Sequence, residues 1–210
     1  LSSSSAASDV YKRQLQCKLK RTLAKIKGVE ANQILLGNGS DEVLDLVFRA
    51  FCEPGQDEVI LLPPTYGMYT VLAQLNNVKV NTVPLNESFQ LDLEGIMKQV
   101  NGNTKVIFVC SPNNPTGNSI PLEQIQNLLN QFSGLVVVDE AYVDFSTKGS
   151  AVRFLDDYPH LMICQTFSKA YGLAGIRLGM GIADSKIIDY FNKIKPPYNV
   201  NVLTQKTAYN

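Results

Sequence analysis

Three short and almost wholly apolar runs, 105–110 (KVIFVC), 135–138 (LVVV) and 161–164 (LMIC), constrain the fold most. A strand that is apolar at nearly every position has no face to offer water, so it must be covered on both sides. Segments of helical period separate these runs. Residues 41–51 (DEVLDLVFRAF) place Val43, Leu44, Val47, Phe48 and Phe51 at helical spacing. Residues 67–75 continue as helix, Asp92 caps a helix through Val100, Pro121 opens one through Phe132, and 185–194 form another. Further strands are predicted at 58–62 (EVILL), 78–83 and 177–183. Repeated β-α units of this kind predict an α/β fold, a mainly parallel sheet with helices on both faces. In such sheets ligands bind beyond the carboxyl ends of the strands, where the polar, turn-rich runs of this chain lie.

Composition narrows the function classes. The chain has 210 residues, 45% of them hydrophobic, and its 19 Lys and Arg balance its 19 Asp and Glu. That balance gives no electrostatic reason to expect nucleic acid or an acidic membrane as partner, and no apolar run approaches the ~18 residues of a membrane span. Cys17, Cys52, Cys110 and Cys164 are far apart and form no CxxC pair. They read as buried, reduced thiols of a cytoplasmic protein. The single histidine, His160, follows Pro159 in a polar connection and reads as a surface-loop residue, so no metal site is expected. Residues 1–14 (LSSSSAASDVYKRQ) lack the pattern of a signal peptide, and DVYKRQ is similar to a translated sequencing adaptor. We expect them to be a non-native or disordered tail, with one domain over 15–210.

Five motifs carry the chemistry: GNGSDE (37–42), PPTYGMY (63–69), SPNNPTGN (111–118), VVVDEAYVDF (136–145) and TFSKAYGLAGIRLG (166–179). Taken singly, their polar residues have plain roles. GNGS makes a turn and helix cap, Asp139 caps a turn, Tyr142 packs in a core, and Asn114 stabilises an Asn-Pro turn. Arg177, between Ile176 and Leu178, calls for an anionic partner, because an unpaired charge in apolar surroundings is costly.

Together, and with KPPYNVN (195–201), these motifs closely resemble the fold-type I pyridoxal phosphate (PLP) aminotransferases, from about Leu15 to the C-terminus. The resemblance implies the large PLP-binding domain of that fold. It implies that Lys169 holds PLP as a Schiff base and shuttles the proton, and that Asp139 faces the pyridine nitrogen. Tyr142 and Asn114 would hydrogen-bond the phenolic oxygen, and Tyr66 would lie against the ring. Thr166, Ser168 and Arg177, with backbone N–H groups around Gly39, Ser40 and Asp41, would hold the phosphate. The chain is most similar to the histidinol-phosphate branch, which implies exchange of an amino group between L-histidinol phosphate and 2-oxoglutarate. Other branches imply an aromatic substrate, decarboxylation of a phosphorylated amino acid, or a non-catalytic PLP-binding regulator. Family members are homodimers whose chains begin earlier and continue into a small domain carrying the arginine for the substrate carboxylate. A partial large domain, poorly soluble or inactive by itself, is therefore expected.

Overall fold

A computed structural model describes residues 16–209; the tail expected at 1–14 lies outside them. Seven strands form one sheet: β1 (Ile34–Asn38), β2 (Glu58–Leu61), β3 (Lys79–Thr82), β4 (Thr104–Cys110), β5 (Leu135–Asp139), β6 (Leu161–Thr166) and β7 (Leu178–Ala183). Their order across the sheet is β1-β7-β6-β5-β4-β2-β3. The four pairings from β3 through β6 are parallel, while β7 runs antiparallel to both β6 and β1.

Alternation along each strand divides the interior into two cores. Ile107 and Val109 of β4 face one side with Val136, Val138 and Ile163; Val106 and Phe108 face the other with Val137 and Met162. The first core is closed by α1 (Cys17–Lys27), α4 (Leu93–Gln99) and α5 (Leu122–Gln131), the second by α2 (Gly39–Phe51), α3 (Met68–Leu75) and α6 (Ser185–Ile194). The mainly parallel, two-faced sheet expected from the apolar runs is thus the observed one. A last helix, α7 (Val202–Tyr209), lies against α1.

Helix ends follow local chemistry. Asp92 accepts from the Gly95 amide at 2.9 Å to open α4, and Asp184 accepts from the Lys186 amide at 2.8 Å to open α6. The helix expected from Asp41 begins two residues earlier, at Gly39. The strand expected from Arg177 begins one residue later, because Arg177 takes a left-handed conformation (φ 52°) after a 3-10 turn at Ala174–Ile176. Of the cysteines, Cys52, Cys110 and Cys164 are buried as expected, but Cys17 is only half-buried at the start of α1. His160 is half-buried too, and its ring nitrogen lies 3.1 Å from the Leu129 carbonyl. None of the described helices is long and apolar enough to cross a membrane.

Ile107 is wholly buried on a strand inside the sheet. Ile107→Ala is expected to lower unfolding stability by about 2–5 kcal/mol in urea titration, through lost burial and the cavity left behind.

Candidate active site

β4, β5 and β6 are parallel neighbours, so their carboxyl ends bring three polar segments to one edge of the sheet. A cavity of about 170 Å³ opens there. Ser40, Asp41, Tyr66, Asn114, Asp139, Tyr142, Thr166, Ser168, Lys169 and Arg177 all line it. Every residue singled out from the motifs is in that wall except Gly39, the residue before Ser40. Sequence reasoning missed two further lining residues, Cys110 and Ala141.

Asp139 ends β5 and is 3% exposed. Its Oδ2 accepts from the Tyr69 hydroxyl at 2.7 Å and its Oδ1 from the Ala141 amide at 3.1 Å. Both donors are neutral, and burial, the largest influence, raises the carboxyl above its usual range despite them. Its neighbour Glu140 points into a separate network, accepting from Ser150 Oγ and the Ala151 amide, each at 2.6 Å, and from Gln165 Nε2 at 2.8 Å. Burial raises this carboxyl as well. The pair therefore divides: Asp139 serves the cavity, while Glu140 pins the long crossover from β5 to β6.

Another part of the wall combines Arg177 with the start of α2. α2 starts at Gly39, so its first amides point out of the helix end without intrahelical partners. Gly39 donates its own amide to the Arg177 carbonyl at 3.0 Å, which fixes that helix end against the turn before β7. Gly39 has φ +75°, and a Cβ there would stand 2.6 Å from Arg177 Nη2. A side chain on Gly179 would strike the Gly39 and Ser40 backbone, so glycine is required at that approach. Glu42 accepts from the Asn38 amide at 2.6 Å and from Asn199 Nδ2 at 2.9 Å, and Asn199 also donates to the Leu36 carbonyl at 2.8 Å. The KPPYNVN segment thereby braces the same helix start. Thr166 Oγ1 accepts from the Ser168 amide at 3.2 Å, turning the chain sharply after β6.

Arg177 differs from its expected setting. Its side chain is 53% exposed and stands 3.8 Å from Asp41, so its flanking apolar residues do not bury it. Tyr66 donates to the other Asp41 oxygen at 3.2 Å, and burial, helped by that carboxylate, pushes the phenol up to about 12. The Lys169 amine lies 5.3 Å from the centre of the Tyr142 ring. A primary amine, a buried carboxylate and a cationic, amide-lined pocket thus share one small cavity.

The sequence profile described as Aminotransferase class I and II matches residues 3–210. The chain belongs to the class I and II aminotransferase family. Among curated relatives, the histidinol-phosphate aminotransferase of Flavobacterium johnsoniae is 59% identical over 92% of this chain and 55% of its own length. That of Christiangramia forsetii is 58% identical over 92% of this chain and 55% of its own. Among solved structures, the histidinol-phosphate aminotransferase from Sinorhizobium meliloti in complex with pyridoxal-5'-phosphate superposes with a TM-score of 0.87 at 27% identity, covering 98% of this chain and 57% of that one. The chain therefore spans a little over half the length of the curated relatives it matches.

Two measurements probe this wall and the buried acid. Gly39→Ala forces a Cβ onto Arg177 and strains a left-handed residue by about 1–2 kcal/mol, so affinity for inorganic phosphate should fall in calorimetric titration. Asp139 and Glu140 hold protons more tightly folded than unfolded. Their contribution to stability is whole below the ordinary values of 3.8 and 4.5 and lost as pH rises through the raised ones. Melting temperatures of the ligand-free chain across that range should show a smaller alkaline loss in Asp139→Asn than in wild type.

Proposed function

We propose that residues 15–210 hold PLP in this cavity and form the cofactor domain of an aminotransferase acting on L-histidinol phosphate and 2-oxoglutarate. One observation carries the reading: Asp139 at the end of β5, Lys169 and Arg177 in the β6–β7 connection, and Ser40 and Asp41 at the start of α2 meet in a single cavity. The family profile and the names of the relatives support it.

The residues fit the cofactor. Asp139 is a carboxylate whose burial penalises its charge, and a cationic ring nitrogen would relieve that penalty. The missing side chain at Gly39 lets the Arg177 guanidinium lie against the start of α2, where the first amides also favour an anion. When bound, PLP supplies an aldehyde that accepts the amino group and a protonated ring that withdraws electrons.

This chain supplies binding and proton transfer. The Lys169 amine would anchor the aldehyde carbon and, once freed, would take the proton from the substrate Cα. Asp139 keeps the ring nitrogen protonated. Tyr142 and Asn114 would bind the phenolic oxygen, and the Tyr66 ring would serve the cofactor face. Thr166, Ser168 and Arg177 bind the phosphate with the amides of Gly39, Ser40 and Asp41. By resemblance to the family we infer a homodimer in the cytoplasm.

Borohydride treatment after incubation with PLP should add one phosphopyridoxyl group, the cofactor less one oxygen, to wild type on Lys169, located by peptide mass spectrometry. Lys169→Ala should acquire none at that peptide and should lose the absorbance band of the lysine-bound cofactor. A band retained in Lys169→Ala overturns the assignment. In the full-length protein, faster turnover of phenylalanine or threonine phosphate than of L-histidinol phosphate would replace the substrate reading while leaving the cofactor site.

A further inference from the structure

Tyr69 lines no part of the cavity, and its helical, apolar surroundings make it look like core. It stands on α3, three residues after Tyr66, and is wholly buried. A buried tyrosine needs a partner for its hydroxyl, and this one reaches the Asp139 carboxylate at 2.7 Å. Its ring cannot swing. It stacks on Phe108 with centroids 5.1 Å apart, and Phe108 stacks on Phe48 at the same separation. The Tyr66 ring meets it edge-on at 5.5 Å. One immobile ring therefore touches both a cavity-wall aromatic and the buried acid.

We propose that Tyr69 is a positioning residue that orients Asp139 toward the cofactor's ring nitrogen and keeps the carboxylate ionised, an inference that rests on the PLP reading above. The Asp139 oxygens are held by one donor each. Ala141, two residues on, supplies the local one, while Tyr69 supplies the one that ties the strand end to α3. Together they fix the carboxylate plane. Lys169 and Asp41 act on the acid from the cavity side with opposite sign, and Cys110 and Cys164 flank it from β4 and β6. A hydrogen bond to the charged form opposes the burial that favours the neutral one.

The test is a double-mutant cycle on the whole chain with PLP as probe, using Tyr69→Phe, Asp139→Asn and the pair. Tyr69→Phe keeps the ring stack and removes only the donor. It should weaken PLP by about tenfold, equivalent to about 1.4 kcal/mol, for the loss of one hydrogen bond to a charged group. It should also raise the pH midpoint of the lysine-bound cofactor's absorbance, because a ring nitrogen less firmly protonated withdraws less from the lysine nitrogen. Adding Tyr69→Phe to Asp139→Asn should change neither reading further. Tyr69→His, which can still donate an N–H, should return the midpoint toward wild type and serves as the second variant if Tyr69→Phe does not fold. Equal effects of Tyr69→Phe in both backgrounds, or an unmoved midpoint, reduce Tyr69 to packing and overturn the inference alone. A wild-type chain that takes up no PLP overturns the cofactor reading, and the inference with it.

Discussion

A carboxylate taken out of water at the end of a central strand sets the terms for the rest of the site. Asp139 cannot be solvated where β5 places it, and a bare ionised group in such a position would shift its pKa or unfold its surroundings. The chain answers with two neutral donors, which hold the group without cancelling its charge. A buried acid satisfied by neutral partners retains its appetite for a cation. The hydrophobic layers beneath it exist on the same condition, since Phe48, Phe108 and Tyr69 pack rigidly enough to keep the donor in line.

The wall formed by Arg177 and the start of α2 depends on backbone instead. Its amides belong to the first turn of α2, and that turn is located by what touches its start: the Arg177 carbonyl on Gly39, the close pass of Gly179, and the Asn199–Glu42–Asn38 hydrogen bonds. Gly39, Gly179 and the Asn199–Glu42–Asn38 bonds thus do for the helix end what Tyr69 does for Asp139. The antiparallel β7 matters here, because it returns the chain from the Lys169 turn alongside β1 and delivers Arg177 to the start of α2.

Legibility in the sequence followed the period of the apolar residues. β4, β5 and β6 are apolar at nearly every position and could be read as doubly covered strands, and α2 and α5 show clean helical spacing. β1 was not legible as a strand, since ILLGN carries only three apolar residues before it runs into the glycine turn of α2. The direction of β7 was not legible either, because nothing in an apolar run states which way it lies. Among site residues, those inside recognisable motifs could be located, and the cavity gathers them. Tyr69 stood within one of the same motifs, yet a tyrosine on the apolar side of a helix carries no sign of its hydroxyl's partner, 70 residues away in the chain. Cys110 had the same difficulty at the end of an apolar strand. Arg177 was misjudged in its surroundings, because flanking apolar residues say little about a side chain that a left-handed backbone turns outward.

That outward turn bears on how the site can receive an anion. Arg177 and Asp41 are separated by 3.8 Å, with side chains 53% and 37% exposed, and such a pair contributes about 0–1 kcal/mol. Asp41 is therefore a weak occupant of the guanidinium. A phosphate dianion offers Arg177 two oxygens in the fork geometry that a guanidinium prefers, together with the α2 amides that a carboxylate at the helix start cannot face in the same way. The left-handed backbone at Arg177 costs about 1–2 kcal/mol, which its carbonyl partly recovers through the Gly39 amide. Strain in the backbone and looseness in the side chain then have one consequence: the cation is fixed at its root and free at its tip, ready to exchange a poor partner for a better one.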